Sequence, residues 1–152
     1  MAASAWQLYN YAKRYIGNGT ITLGAGVFKM VLARSASNAS TFTLSTYASV
    51  TNEISATGGY VTGGKNLVPA TGQWTVGASA KQMKFTMSTV GLAFTASGAS
   101  LTNIKYAILR NSTGAGAGKL LCFCQLSSSQ FTVTSPNTLT VLPAATGIFT
   151  LT

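Results

Sequence analysis

The sequence contains no histidine and no aspartate, and its only acidic residue is Glu53. Glycoside hydrolysis by paired carboxylates needs two acids, and magnesium or calcium sites need several oxygen ligands. Nucleophilic catalysis by serine or cysteine usually depends on a histidine base. Two cysteines also fall short of the four ligands of a structural zinc site. These absences argue against an enzyme and against a bound metal or cofactor.

Long apolar runs are missing as well. The longest is far shorter than the roughly 20 residues that cross a membrane as a helix. No segment has the pattern of a signal peptide. We therefore expect no membrane partner.

Charge is scarce and almost entirely of one sign. Only 7% of the residues are charged, and ten Lys and Arg give a net charge of +9. This excess creates a positive field, which favours a negatively charged partner. The cations are scattered along the chain and form no clustered stripe of the kind common in nucleic-acid-binding proteins. Nucleic acid is therefore disfavoured but not excluded by charge, and an acidic protein lattice is the other candidate.

Small uncharged residues fill the sequence instead, with 16 Ser, 22 Thr and 16 Gly among 152 residues. Thr favours strands, whereas Ser and Gly favour turns. From residue 20 to residue 151, short strand-like segments, 20–23 and 60–62 among them, are broken by Gly, Pro, Ser and Asn. No helical crossovers lie between them, as a parallel α/β fold would require. The pattern predicts a single mainly β domain over 1–152, with about ten short strands in a sandwich or barrel.

One short helix is predicted near the N terminus, over residues 3–16. Apolar residues such as Trp6 and Tyr9 recur there at three- and four-residue spacing. Ser4 has the residue type of an N-cap, and Gly17 follows the basic last turn as a C-terminal stop.

The two cysteines, Cys122 and Cys124, are one residue apart on a predicted strand. Successive side chains of a strand alternate between its faces, so both thiols point the same way. We expect two buried thiols that behave as small hydrophobic groups, which fits folding inside a cell.

The glycine-rich segment 112–119 resembles a phosphate-binding loop only superficially. It lacks the earlier Gly and the Ser or Thr after the Lys, and a predicted strand follows it instead of a helix. We expect a hairpin loop.

Glu53 has neither a second acid nor a histidine with which to perform acid–base catalysis. We expect it to form a salt bridge or a backbone cap near a turn.

A series of short fragments resembles, in order and spacing, a family of small structural proteins of tailed bacteriophages that includes capsid cement or decoration proteins. The fragments span nearly the whole chain, at residues 8–13, 16–21, 28–32, 50–53, 59–60, 63–67, 74, 105–109, 120–121 and 147–151. The family pattern often has acids around the middle strands and before the last Gly-Ile. Here Ser, Thr and Ala replace them, as at 143–146, which suggests a surface suited to an unusually acidic partner.

The resemblance implies a jelly-roll-like antiparallel β-sandwich that binds the outside of a phage head after folding in the host bacterial cytoplasm. The expected partner is the major capsid protein, with self-association as a homodimer, and the expected role is to clamp neighbouring capsid subunits. A tail or host-recognition adhesion module is the alternative. The candidate contacts with the capsid or a second copy are Trp6, Tyr9, Lys13, Arg14, Glu53, Lys65, Lys81 and Lys84.

Overall fold

Strands dominate the structure, a computed structural model that describes residues 3–71, 73–79 and 81–152. Residues 1–2, 72 and 80 of the predicted domain lie outside the described part. The elements in chain order are β1 (Gln7–Leu8), α1 (Asn10–Gly17), β2 (Val27–Arg34), β3 (Lys65–Thr71), β4 (Gln73–Val76), β5 (Met83–Thr86), β6 (Leu92–Thr95), β7 (Leu101–Asn111), β8 (Leu120–Gln125), β9 (Phe131–Val133), β10 (Thr138–Val141) and β11 (Phe149–Leu151). Short 3₁₀ turns form at Tyr47–Ser49 and Gly114–Gly116.

The strands form three antiparallel sheets. The largest has the order β1-β8-β7-β2-β3, and β9 also pairs with β7. The others are a three-stranded sheet, β11-β5-β4, and a two-stranded sheet, β10-β6. The predicted fold class, a mainly β antiparallel sandwich with one short helix near the N terminus, is confirmed.

The core lies between the large sheet and the smaller ones. The ring of Phe28 on β2 meets Phe85 on β5 edge to face at 4.9 Å, and Phe85 stacks on Phe149 at 5.3 Å. The other face of the large sheet is also covered, because Phe123 on β8 packs against Tyr9 and Phe42. Covering on both faces explains why β2 and β8 are nearly continuous apolar runs.

The N-terminal segment differs from the prediction. The helix begins at Asn10, and the residues before it extend along β8, with Gln7 opposite Phe123 and Leu8 opposite Cys122. Ser4 is no N-cap, because its N–H donates to the carbonyl of Gln125 at 2.8 Å and its Oγ accepts the N–H of Gln125 at 2.9 Å. Pairing with the edge of a sheet therefore outweighs the helical spacing of this segment.

The helix end and some predicted strands are corrected too. Gly17 is the last residue of α1, and the left-handed residue that follows is Gly19, with φ 75°. Residues 20–23 and 60–62 form turns instead of strands, although Ile21 and Tyr60 are buried. Alternation at 20–23 thus reflects burial of every second side chain in a loop.

Candidate functional site

Glu53 lies at the centre of a hydrogen-bonded cluster on the large sheet, where it forms an isolated bridge with Ala33 of β2. Its Oε1 accepts the hydroxyl of Tyr60 at 2.6 Å and the backbone N–H of Gly63 at 2.7 Å. Its Oε2 accepts the hydroxyl of Tyr47. The predicted backbone cap is present, and all three donors to the carboxylate are uncharged.

The two tyrosines are fixed as donors to this carboxylate. Burial and the hydrogen bond to Glu53 raise the pKa of Tyr47 to about 12. The same two causes raise the pKa of Tyr60 well above its usual value. Both hydroxyls therefore keep their protons at neutral pH. The cluster joins the loop residues Tyr47, Tyr60 and Gly63 to Glu53, which is bridged to β2 of the large sheet.

Arg110 on β7 extends the cluster. Its Nε and Nη2 donate to the carbonyl of Gly63 at 3.2 and 2.9 Å, and its guanidinium lies 4.4 Å from the centre of the Tyr47 ring. The neighbouring Gly64, with φ 81°, lies against β2 so closely that a Cβ would collide with the carbonyl of Met30. Glycine is required at position 64 for this close approach of the loop.

A pair of cations and a tyrosine form a surface on the face of the large sheet opposite to the buried Phe28. Lys29 is directly opposite Arg110 across β2 and β7, so both side chains share this face. The ring of Tyr47 lies against the guanidinium of Arg110. We call this surface the basic–aromatic band, and its members are Lys29, Tyr47 and Arg110.

The helix carries a separate pair of rings. Tyr11 and Tyr15 lie one turn apart on α1, with ring centres separated by 6.1 Å. The Nζ of Lys119, which bridges Thr46, lies 5.2 Å from the centre of the Tyr15 ring. Lys29, Tyr47, Arg110 and Lys119 are all half-buried, which leaves part of each side chain accessible.

Tyr9 and Trp6, the two aromatic residues predicted to contact a partner, differ in burial. Tyr9 is fully buried, and its hydroxyl donates to the carbonyl of Ala39 at 2.7 Å, so the prediction that it contacts a partner is wrong. Trp6 is half-buried against the core and lines a cavity of about 540 Å³ between the N-terminal segment and residues 139–148.

The predicted charged contacts do not form one surface. Lys13 and Arg14 are exposed on α1. Lys81 is exposed beside β5, and Lys84 is on the face of β5 opposite to the buried Phe85. Lys65 is exposed, and its Nζ donates to the carbonyl of Ala93 at 2.9 Å.

Sequence reasoning missed Lys29 and Arg110 as parts of one surface. They belong to β2 and β7, and strand pairing alone brings them together. A signal was present, since Lys29 interrupts an apolar run in β2 and Arg110 directly follows one in β7.

The two cysteines are free and buried, as predicted. Both residues pair with β7, where Cys122 is opposite Leu109 and Cys124 is opposite Ala107. Burial raises the pKa of the Cys124 thiol to about 12. Burial and, as a smaller cause, the nearby Cys124 raise the pKa of Cys122 well above its usual value. Across residues 3–71, 73–79 and 81–152, no three Cys, Asp, Glu or His residues gather as ligands for a metal ion.

The glycine-rich segment connects β7 to β8 as the predicted hairpin. Asn111 holds it, because its N–H donates to the carbonyl of Lys119 at 2.9 Å and its carbonyl accepts the N–H of Gly118 at 2.8 Å. Its side-chain oxygen accepts the N–H of Thr113 at 3.0 Å.

Comparison with protein-family models, with curated proteins and with solved structures finds no match to this chain. In the part of the chain that the structure describes, no helix is both long and apolar enough to span a bilayer.

Proposed function

We propose that this chain is a non-enzymatic structural protein of a tailed-phage virion. It binds the outer surface of the head and clamps neighbouring major capsid subunits, after folding in the bacterial cytoplasm. The phage assignment is supported by the ordered sequence fragments that resemble the cement and decoration proteins. The binding role is supported by the charge distribution.

The observation that carries the binding role is the separation of the two signs of charge. The sole carboxylate side chain is held by Tyr47, Tyr60 and Gly63. None of the ten Lys and Arg is buried. The accessible surface is therefore positive with little internal compensation, and it favours a partner that supplies negative charge.

A clamp of this kind acts through interface area and repetition. Specific interfaces bury about 1,200–2,000 Å². A surface rich in Ser, Thr and Ala has few charged groups to desolvate on close contact. A regular lattice of sites then adds avidity, because each bound copy faces further sites at fixed distances.

Self-association is part of the proposal. Val68, Val90 and Leu142 are 48%, 74% and 58% exposed. They lie at one end of the sandwich, where the N–H of Ser88 donates to the carbonyl of Val68 and Gly91 approaches the side chain of Leu142. Exposed apolar groups of this kind suit a homodimer contact. Light scattering of the purified chain should give twice the monomer mass, and a monomer at all concentrations would contradict the dimer.

The proposal is tested on particles of the phage or prophage that encodes the chain. Mass spectrometry of purified particles should detect the chain at a copy number comparable with that of the major capsid protein. An amine reagent that does not enter particles should modify its exposed lysines, such as Lys13 and Lys81. Absence from the particles, or complete protection of every lysine in intact heads, would overturn the proposal. A copy number typical of tail components would favour the adhesion alternative.

A further inference from the structure

We propose that the basic–aromatic band is the surface that binds an acidic protein segment, one that presents several Asp or Glu side chains in an accessible stretch. The choice of an acidic protein as partner rests on the proposed function. The location of the site rests on the geometry of the band itself, which places Lys29 and Arg110 side by side on one face with the ring of Tyr47 against the guanidinium.

The pair formed by Lys29 and Arg110 is the centre of the site. The two residues are directly opposite on neighbouring strands, and like charges in this position destabilise a sheet. The only carboxylate side chain of the protein, Glu53, accepts its hydrogen bonds from Tyr47, Tyr60 and Gly63 instead. A carboxylate from a partner that reaches both side chains removes the repulsion and gains two charge-assisted hydrogen bonds.

One of the two cations is already held in place. Arg110 is fixed by two hydrogen bonds to Gly63 and by the ring of Tyr47. Binding therefore has mainly the side chain of Lys29 to immobilise, which lowers the entropic cost of forming the complex. The bonds to Gly63 use Nε and Nη2 of Arg110, and Nη1 is the nitrogen available to a partner.

The same contacts favour an acidic protein over a single-stranded nucleic acid. Proteins that bind single strands offer aromatic faces on which bases stack. Here one face of Tyr47, the ring of the band, is covered by Arg110. The tyrosine thus supports the cation, and Lys29 and Arg110 remain as the groups that meet the partner.

The test measures binding of a fluorescein-labelled octaglutamate peptide to the full chain by fluorescence anisotropy at low ionic strength. Lys29→Gln is compared with Lys105→Gln, because both lysines are half-buried strand residues and each change lowers the net charge from +9 to +8. Lys105 is five residues from Arg110 along β7, which corresponds to roughly 17 Å. A thermal melt of each variant verifies that it is folded.

We expect Lys29→Gln to weaken octaglutamate binding about threefold to tenfold, and Lys105→Gln to change it less than about twofold. Equal losses in the Lys29 and Lys105 variants would overturn the inference, since they would show an effect of net charge alone. So would tighter binding of a nine-residue oligothymidylate that also depends on Lys29, because the band would then be a nucleic-acid site.

The two proposals fail in distinguishable ways. If the chain is absent from virions and Lys29 still determines octaglutamate binding, only the proposed function is wrong. If the chain is abundant on heads and Lys29→Gln leaves both octaglutamate binding and head occupancy unchanged, only the assignment of the band is wrong.

Discussion

The hydroxyl of Tyr60 donates to Oε1 of Glu53 over 2.6 Å and accepts the N–H of Leu32 over 3.1 Å. One buried phenol thus connects the only acidic side chain to the backbone of a central strand. With the hydroxyl of Tyr47 and the N–H of Gly63, it makes Glu53 a structural acceptor for the loop that covers the large sheet.

Replacing this acceptor should destabilise the fold. We expect Glu53→Gln to lower the free energy of unfolding by about 1–3 kcal/mol. An amide NH₂ group, which cannot accept a hydrogen bond, would replace a carboxylate oxygen that accepts one from a tyrosine hydroxyl. Glu53→Ala should cost more, since three donors lose their acceptor. Denaturant unfolding measures both, with Lys105→Gln as a control. A change in Glu53→Ala of less than about 0.5 kcal/mol, the usual range for surface substitutions, would contradict the structural role.

Tyr9 provides a second test, on the segment that joins β1 to α1. Tyr9→Phe removes the donor to the carbonyl of Ala39 at a fully buried position. We expect a loss of about 1–2 kcal/mol in the free energy of unfolding, because that carbonyl stays buried without its partner. Tyr11→Phe is the matched control, as Tyr11 is 40% exposed, and it should leave stability unchanged. Equal effects of the two substitutions would contradict the buried placement of Tyr9.

Stability should fall at alkaline pH. An unfolded tyrosine loses its proton near pH 10.0, whereas burial and the bond to Glu53 raise the pKa of Tyr47 in the folded chain to about 12. Between these values the unfolded state binds fewer protons, so the free energy of unfolding decreases as pH rises. Below pH 10.0 the contribution of Tyr47 is complete.

Absorbance of tyrosinate and denaturant unfolding across this range measure the effect. Three of the six tyrosines, Tyr9, Tyr47 and Tyr60, should titrate late or only on unfolding. Tyr47→Phe should reduce the dependence of stability on pH. Titration of all six tyrosines in the folded chain at the usual value would contradict this prediction.

The cysteines should be inert while the chain is folded. Both thiols are buried, and burial raises the pKa of each, so little thiolate is present or accessible at neutral pH. Mass spectrometry after iodoacetamide treatment should show an unmodified native chain and two modifications in guanidinium. Rapid labelling of Cys122 in the native chain would contradict the burial of this thiol.

Local sequence patterns predicted the strands best where both faces are buried. β2, β8 and the segment 106–109 of β7 are largely apolar, and burial explains these runs. The helix over 3–16 was wrong in its first half, because the hydrogen-bonding edge of β8 is not visible in the residues that pair with it. Likewise, Ile21 and Leu23 alternate as in a strand but lie in turns.

The basic–aromatic band shows a different limit. Lys29 and Arg110 are 81 positions apart, and their opposite placement depends on the register between β2 and β7. A shift of one residue would place the two side chains on opposite faces of the sheet. Composition therefore revealed an excess of positive charge, whereas the placement of Lys29 beside Arg110 on one face depends on tertiary pairing.

The pairing of β1 with β8 has a consequence for biosynthesis. Ser4 and Gln125 are 121 positions apart, so at 5–20 residues per second the N-terminal segment precedes its partner by about 6–24 s. Contacts of such long range form slowly, because the loop between them must close first. The edge strand made first on the ribosome is thus among the last to be paired, and its register on β8 is completed only after the centre of the large sheet has been synthesised.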